Sequence, residues 1–238
     1  MEEKLKSEGV CVFCNFKHTK STITKHLTKH LDEITKENPT AKTKGFHLKV
    51  STGPYFLHLF MDVEATLTTL DKFLKDIWLE CCGHSSSFSK IGKFYDNNWD
   101  DIKADIGEKK RQKAKDVFEV GGVLKYEYDF GSTTELEIKT LGIYPYLAKG
   151  AIQILSRNEP LKLMCDVCKT KAATEICEVH LHEGSPAFFC DGCAEEHEKV
   201  CEDFADYAHF PVVNSPRMGV CAYDGGTIDK RRDGVYVI

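Results

Sequence analysis

Cysteines and histidines come in pairs along this chain, and soft ligands paired at short spacing are how a polypeptide grips a metal ion. Between residues 165 and 201 the sequence reads Cys165-Asp-Val-Cys168, Cys177-Glu-Val-His180 and Cys190-Asp-Gly-Cys193, then His197 and Cys201. A C-x2-C turn sets two thiolates on one loop, so two such turns close a tetrahedron around one ion. The other four have the number and pairing for a second. Two wirings fit. In a cross-braced module Cys165, Cys168, Cys190 and Cys193 share one ion, and Cys177, His180, His197 and Cys201 share another. In a simple ribbon only the two C-x2-C turns bind. The ligand-pair spacings Cys177-x2-His180 and His197-x3-Cys201 favour two ions, with His182 an alternative to His180. Either way each site has four protein ligands and no position open to water, which is the arrangement of a structural zinc.

A second constellation lies near the N-terminus. Cys11, Cys14, His26 and His30 are spaced C-x2-C-x11-H-x3-H, one residue short of the usual two-Cys, two-His finger. The histidines are four apart, so on a helix they share a face, beside an apolar side formed by Ile23 and Leu27. So small a module cannot bury enough apolar surface to fold without metal. By finger numbering Thr19, Thr22 and Lys25 would face a DNA groove. None is an Arg that reaches guanine or an Asn or Gln that reaches adenine, so base-specific reading is not expected. Lys17, Lys20, Lys25 and Lys29 touch phosphate or solvate an exposed face. A third group, Cys81-Cys82-Gly83-His84, looks different. Neighbouring side chains on a helix point about 100° apart, which argues against a shared ion. The expectation there is two small, partly buried thiols and a loop histidine, with a third-party ligand role or a reactive thiol as the other readings.

The elements that must carry these residues follow from periodicity. The chain has 238 residues, 42% of them hydrophobic, and a formal charge of −5, a balance that does not advertise nucleic-acid or membrane binding. No apolar run approaches the roughly 18 residues that span a bilayer, and the N-terminus lacks a secretory apolar core. Eleven cysteines beside histidines, without an export signal, point to zinc in a reduced cytoplasm rather than to disulfides. Residues 32–44 read as a linker. Phe46, Leu48 and Val50 alternate as a strand, and after Gly53-Pro54 residues 55–63 pair with it as a hairpin. From Thr66 a helical stripe of Leu67, Leu70, Phe73 or Leu74, Ile77 and Trp78 runs to a stop at Gly83. Residues 97–115 are charged and predicted as a surface helix or loop. Tyr126, Tyr128 and Phe130, then Leu136 and Ile138, alternate around a Gly131-Ser-Thr turn as a second hairpin. A short strand at 151–155 precedes the metal module. Arg217 and Lys230-Arg231-Arg232 read as solvated cations, with binding of a phosphate or acidic partner as the other reading, and the last five residues as a closing strand or a frayed tail.

The fold class expected is α+β: a curved mixed or antiparallel sheet on a helix, between an N-terminal zinc finger and a C-terminal cross-braced zinc module. The divisions are 1–44 for finger and linker, 45–158 for the core, and 159–238 for the metal module and tail.

Tyr126-Glu-Tyr128-Asp129-Phe130-Gly131 resembles the Y-x-Y-D-F-G core of the Ri-plasmid ORF-three-like family, also called insertion-element passenger or TnpR-like. Further matching pieces are Phe46 to Val50, Ala65 to Leu70, His84 toward Phe88, and Tyr144-Pro145. Residues 78–84 and 211–223 look like a zinc-bearing branch of that family. The resemblance implies a compact α+β domain with a curved sheet against the helix, and implies no settled activity. Where the broader family follows its Y-D-F-G with Asp, then Trp and His, this chain holds Ser132, Thr134 and Leu136. No serine stands in a context that supports resolvase chemistry. The reading that follows is a zinc-binding protein with up to three structural ions, acting as a binding or adaptor protein toward protein or nucleic acid. One alternative is a nucleic-acid-binding protein associated with mobile elements. The other is an enzyme built around His84 and Asp129, which requires those two groups side by side in a cleft.

Overall fold

The computed structural model describes residues 5–90, 112–145, 148, 150–228 and the backbone of 235–236. The charged stretch expected at 97–115 lies outside the described residues as far as 111, as do the basic triplet at 230–232 and the last two residues.

Strands β1 (Glu8–Val10) and β2 (Lys17–Thr19) form a hairpin that leads into helix α1 (Ile23–Glu37), the ββα order of a finger. The helix begins three residues later than finger numbering assumes. Thr19 Oγ1 bonds Ser21 Oγ and Thr22 Oγ1 in a hydroxyl-rich turn, a local bonding pattern that competes with helix.

Period-2 alternation builds the central sheet. Its strands are β3 (Lys44–Thr52), β4 (Tyr55–Asp62), β5 (Ser86–Lys90), β6 (Val123–Tyr128), β7 (Thr134–Pro145), β8 (Ile152–Arg157) and β12 (Val235–Tyr236). The order is β12-β8-β4-β3-β7-β6-β5, with every pairing antiparallel, so the α+β expectation holds. One face, with Leu48, Leu57, Leu59, Tyr126 and Ile138, packs on helix α2 (Leu67–Leu74). Thr66 starts that helix by accepting the Thr69 N–H on its hydroxyl oxygen. It then widens into a π-helical turn over Lys75–Leu79 that buries Ile77 and Trp78. Helix α3 (Ala114–Val117) adds one turn beside it.

The opposite face is covered as well. Phe56, Phe60 and Leu155 pack against Ile23, Leu27 and Leu31 of α1. Strand β4 therefore buries every residue from Tyr55 to Met61 and shows no alternation, because neither of its faces meets water. Three fully buried aliphatic side chains at about 1.5–3 kcal/mol each are enough to hold the finger down on the sheet. Two histidines lie beneath it: His47 Nε2 is 2.9 Å from His58 Nδ1, and His58 Nε2 is 3.3 Å from Thr24 Oγ1. Burial pushes His47 down to about 4; burial, followed by His47 and Lys49, pushes His58 down to about 2.

The C-terminal module has strands β9 (Glu175–Cys177), β10 (Phe188–Phe189) and β11 (His209–Pro211) in the order β10-β9-β11. Short helices α4 (Glu178–Glu183), α5 (Asp191–Glu198) and α6 (Glu202–Asp206) surround a small core of Phe189, Phe204 and Ala208.

Three ties cross the sequence divisions at 44 and 158. Gly9 sits opposite Asn158 so closely that a Cβ would lie 2.4 Å from the Arg157 carbonyl, and only glycine permits that approach. The Asn158 and Asn214 side chains bond each other at 2.6 Å, and Asn158 Oδ1 accepts the Phe56 N–H. Residues 213–228 then run back along the core. The Ser215 hydroxyl donates to the Trp78 carbonyl at 2.6 Å and the Ile228 N–H to the Asp76 carbonyl, satisfying oxygens at the end of the π turn.

Candidate metal centres

Zinc–sulfur bonds of about 2.3 Å and zinc–nitrogen bonds of about 2.0–2.1 Å, at tetrahedral angles, hold ligand atoms about 3.3–3.8 Å apart. Among the described residues four groups of Cys and His approach that scale, each with its ligand atoms within 4.8 Å of one another. Together they take all eleven cysteines and five of the ten histidines, four ligands to a group.

The first is Cys11, Cys14, His26 and His30. His26 Nε2 is 3.2 Å from both Cys14 Sγ and His30 Nε2. Cys11 and Cys14 sit on the β1–β2 turn, closed by the Asn15 N–H donating to the Cys11 carbonyl with Asn15 left-handed (φ +60°). The same device recurs at the first turn of the C-terminal module, where the left-handed Lys169 (φ +55°) donates its N–H to the Cys165 carbonyl. Thr19, Thr22 and Lys25 are all exposed on the finger.

The second group joins Cys165, Cys168, Cys190 and Cys193, and the third joins Cys177, His180, His197 and Cys201. Pairs one and three, and two and four, thus meet as cross-bracing requires. Cys168 Sγ and Cys190 Sγ are 3.9 Å apart. Asp166, between Cys165 and Cys168, accepts the Ala187 and Phe188 N–H groups just before Cys190, which fixes the two turns against each other. Hydrogen bonds from Thr170 and Lys171 pull the Cys168 thiol down to about 6, toward the thiolate that a metal needs. In the third group His180 Nδ1 is 3.2 Å from the Pro186 carbonyl, which leaves Nε2 for ligation, the usual orientation of a metal-bound imidazole. His182 points elsewhere, exposed and near Glu178. These three groups contain the same twelve residues that spacing singles out.

The fourth group departs from the expectation of two small, partly buried thiols and a loop histidine, and agrees better with the alternative of a ligand role completed from elsewhere in the chain. Cys81, Cys82 and His84 meet Cys221, 137 residues beyond the histidine. The Cys81 and Cys82 sulfurs are 3.7 Å apart, Cys82 and Cys221 3.5 Å, and His84 Nε2 lies 2.9 Å from Cys82 Sγ and 3.4 Å from Cys221 Sγ. The objection from helical geometry fails because the helix has already ended. Leu79 closes the π turn, Glu80 is extended, and Gly83 is left-handed at φ +82°. The signal present in the sequence was the arithmetic: Cys81, Cys82 and Cys221 are left over from the three spaced sets, and the first two lie just before His84.

Around this group the chain buries charge. His84 Nδ1 faces Asp129 Oδ1 at 3.5 Å, and Asp129 Oδ2 accepts from Arg217 Nη2 at 2.5 Å. Arg217, expected in solvent, is fully buried; it also donates to the Ser132 carbonyl, to Thr134 Oγ1, and to Cys81 Sγ at 3.7 Å, over the Tyr128 ring. Its burial comes from partners more than 80 residues away, which no local pattern in 213–220 records. Against the upward push of burial, Arg217 and the Gly131 and Ser132 amides hold the Asp129 carboxyl below its ordinary value. Cys81 is likewise lowered: Arg217, Tyr128 and Cys82 outweigh burial. His84 and Asp129 are therefore adjacent, but the second imidazole nitrogen is turned into thiols rather than toward a cleft. A cavity of about 690 Å³ lies apart from them, among Leu5, Lys20, Lys49 and Pro54.

No family profile and no curated protein matches this chain. Among solved structures it is similar to the crystal structure of a protein of unknown function from Methanosarcina mazei Go1. The two are 18% identical with a TM-score of 0.36, over 44% of this chain and 63% of that one. The match thus spans less than two thirds of the archaeal protein's length.

Proposed function

We propose that this is a cytoplasmic zinc protein of the zinc-bearing Ri-plasmid ORF-three-like branch, whose ions are structural and whose role is to bind a partner as an adaptor. The observation that carries this reading is closure. In each of the three spaced groups four potential ligand atoms lie within 4.8 Å of one another, the full set a structural zinc takes, which would leave no coordination position for water or substrate. Zinc is the ion that suits tetrahedra of four cysteines, or of two cysteines and two histidines, without redox or geometric demands of its own. Among the described residues no helix is long and apolar enough to cross a membrane. Exposed apolar side chains on the C-terminal module, Val167, Val200 and Tyr207, offer contact surface to a protein partner.

Elemental analysis of the purified chain tests the reading. Cys11→Ser, Cys190→Ser and Cys177→Ser should each lower zinc content by one ion per chain and reduce thermal stability. A wild-type protein holding a single zinc would sink it. The nucleic-acid alternative draws on the exposed lysines Lys17, Lys25 and Lys29 of the finger. It predicts co-purifying nucleic acid whose retention falls with salt and with removal of those lysines. Retention of the same partners after nuclease digestion supports the adaptor reading instead.

A further inference from the structure

Three thiols and one imidazole that no spacing rule connects converge at the end of α2. We propose that Cys81, Cys82, His84 and Cys221 are a fourth metal site, for a zinc-class ion, which fastens residues 213–228 to the core. Of the four known distances between ligand atoms, three run from 3.4 to 3.7 Å, the spacing a tetrahedral zinc sets, and the fourth, Cys82 Sγ to His84 Nε2, is shorter at 2.9 Å. An outer shell is already in place. Asp129 faces the imidazole nitrogen that does not point at the sulfurs, the carboxylate–histidine–metal arrangement that fixes ring and tautomer. Arg217 donates to Cys81 Sγ and to Asp129 together, so one buried cation steadies a ligand and the group that orients another.

The same residues suggest a rival: Cys82, His84 and Asp129 in the order nucleophile, base, orienting carboxylate. Two further sulfurs argue against it. Cys81 and Cys221 stand 3.7 and 3.5 Å from Cys82 Sγ, and Cys221 lies 3.4 Å from the same nitrogen that a catalytic thiol would need for itself. One nitrogen serves one thiol as base, whereas an ion is shared by all four.

The site differs from the other three in having no buried ligand, where each of the others has one or two. Its ion should therefore exchange fastest. It also closes the longest loop, and restraints on long loops remove the most freedom from the open chain. Loss of this ion should release the 213–228 segment without dissolving the finger or the cross-braced module.

The test uses the full chain at saturating zinc. Wild type should hold four ions and Cys221→Ser three, with Cys82→Ser as a second variant should the first fail to fold. A chelator should remove one ion in a fast phase that Cys221→Ser lacks, and limited proteolysis should then cut within 213–228. Cadmium-113 NMR of the wild type needs no variant. It should show one resonance from a site of three sulfurs and one nitrogen, beside those of the all-sulfur site and the two mixed sites with paired sulfurs and nitrogens. Cys11→Ser, losing its own ion but keeping the fast phase, separates this site from the finger. Three ions in wild type, or an unchanged content in both variants, overturns the proposal. So does His84-dependent alkylation of Cys82 by iodoacetamide in the zinc-saturated protein, which would mark a nucleophile instead.

Discussion

At the scale of single residues, Arg217 shows how a charge comes to be buried. Its guanidinium spreads donors over Asp129, the Ser132 carbonyl and Thr134, and sits 5.2 Å from the Tyr128 ring centre, a set that suits a planar fork. Removing one partner of such a pair leaves the other unpaired and costs about 3–5 kcal/mol, far more than the pair contributes net. Arg217→Met should therefore lower unfolding stability by about that amount, and Arg217→Lys should recover only part, because an ammonium cannot span the same acceptors. Adding Asp129→Asn to Arg217→Met should cost less than the sum of the two single changes. Denaturant unfolding at saturating zinc reads out wild type and every variant, and an Arg217→Met loss below about 1 kcal/mol would show the pair to be dispensable. The same residue marks where sequence reading stops. Ligands within about ten residues of each other were visible as pairs. Arg217 and Cys221 were not, because everything that gives them meaning is brought from another part of the chain.

At the scale of elements, strands with one wet face declared themselves by alternation, as in β6 and β7, whereas β4 hid its assignment by being apolar on both sides. Its hidden side carries His58, and β3 carries His47 beside it. Both are held neutral, with folded pKa values near 2 and 4 against about 6.5 in an open chain. As pH falls below 6.5 the unfolded chain takes up protons that the folded chain refuses, so stability declines from there downward. One such histidine costs about 2 kcal/mol by pH 5. His58→Gln keeps a polar contact for Thr24 and His47 but does not titrate. Its loss of stability between pH 7 and pH 5 should be smaller than wild type's by about 2 kcal/mol. Because metal ligands protonate equally in both proteins, the difference isolates the buried pair; equal slopes would mean the histidines are solvated.

At the scale of the whole molecule, the finger is an outer layer of the core and not a tethered reader. Its ligand spacing groups Cys11, Cys14, His26 and His30 but is silent on where its helix goes, since Ile23, Leu27 and Leu31 would be needed as a finger's own small core in any case. Here that stripe is shared with the sheet. Phe56, Phe60 and Leu155 complete it, and the Val12 and Glu159 amides bond across the seam. A chain starting at residue 44 would leave those three side chains and the His47–His58 pair in water. At about 25 cal/mol per Å² of apolar surface, uncovering them removes several kcal/mol from a core of ordinary stability. The truncated protein should bind a hydrophobic dye, melt well below the full chain, and exchange amides of β4 and β8 faster. Cys14→Ser, which removes one of the finger's four candidate ligands and leaves the rest of its sequence, should move the same amides in the same direction by a smaller amount. If β4 and β8 exchange alike in all three proteins, the finger is a passenger on this face. If they exchange as expected, zinc in the finger and order in the sheet are one equilibrium, and a partner that grips the finger's exposed lysine face would be gripping the core as well.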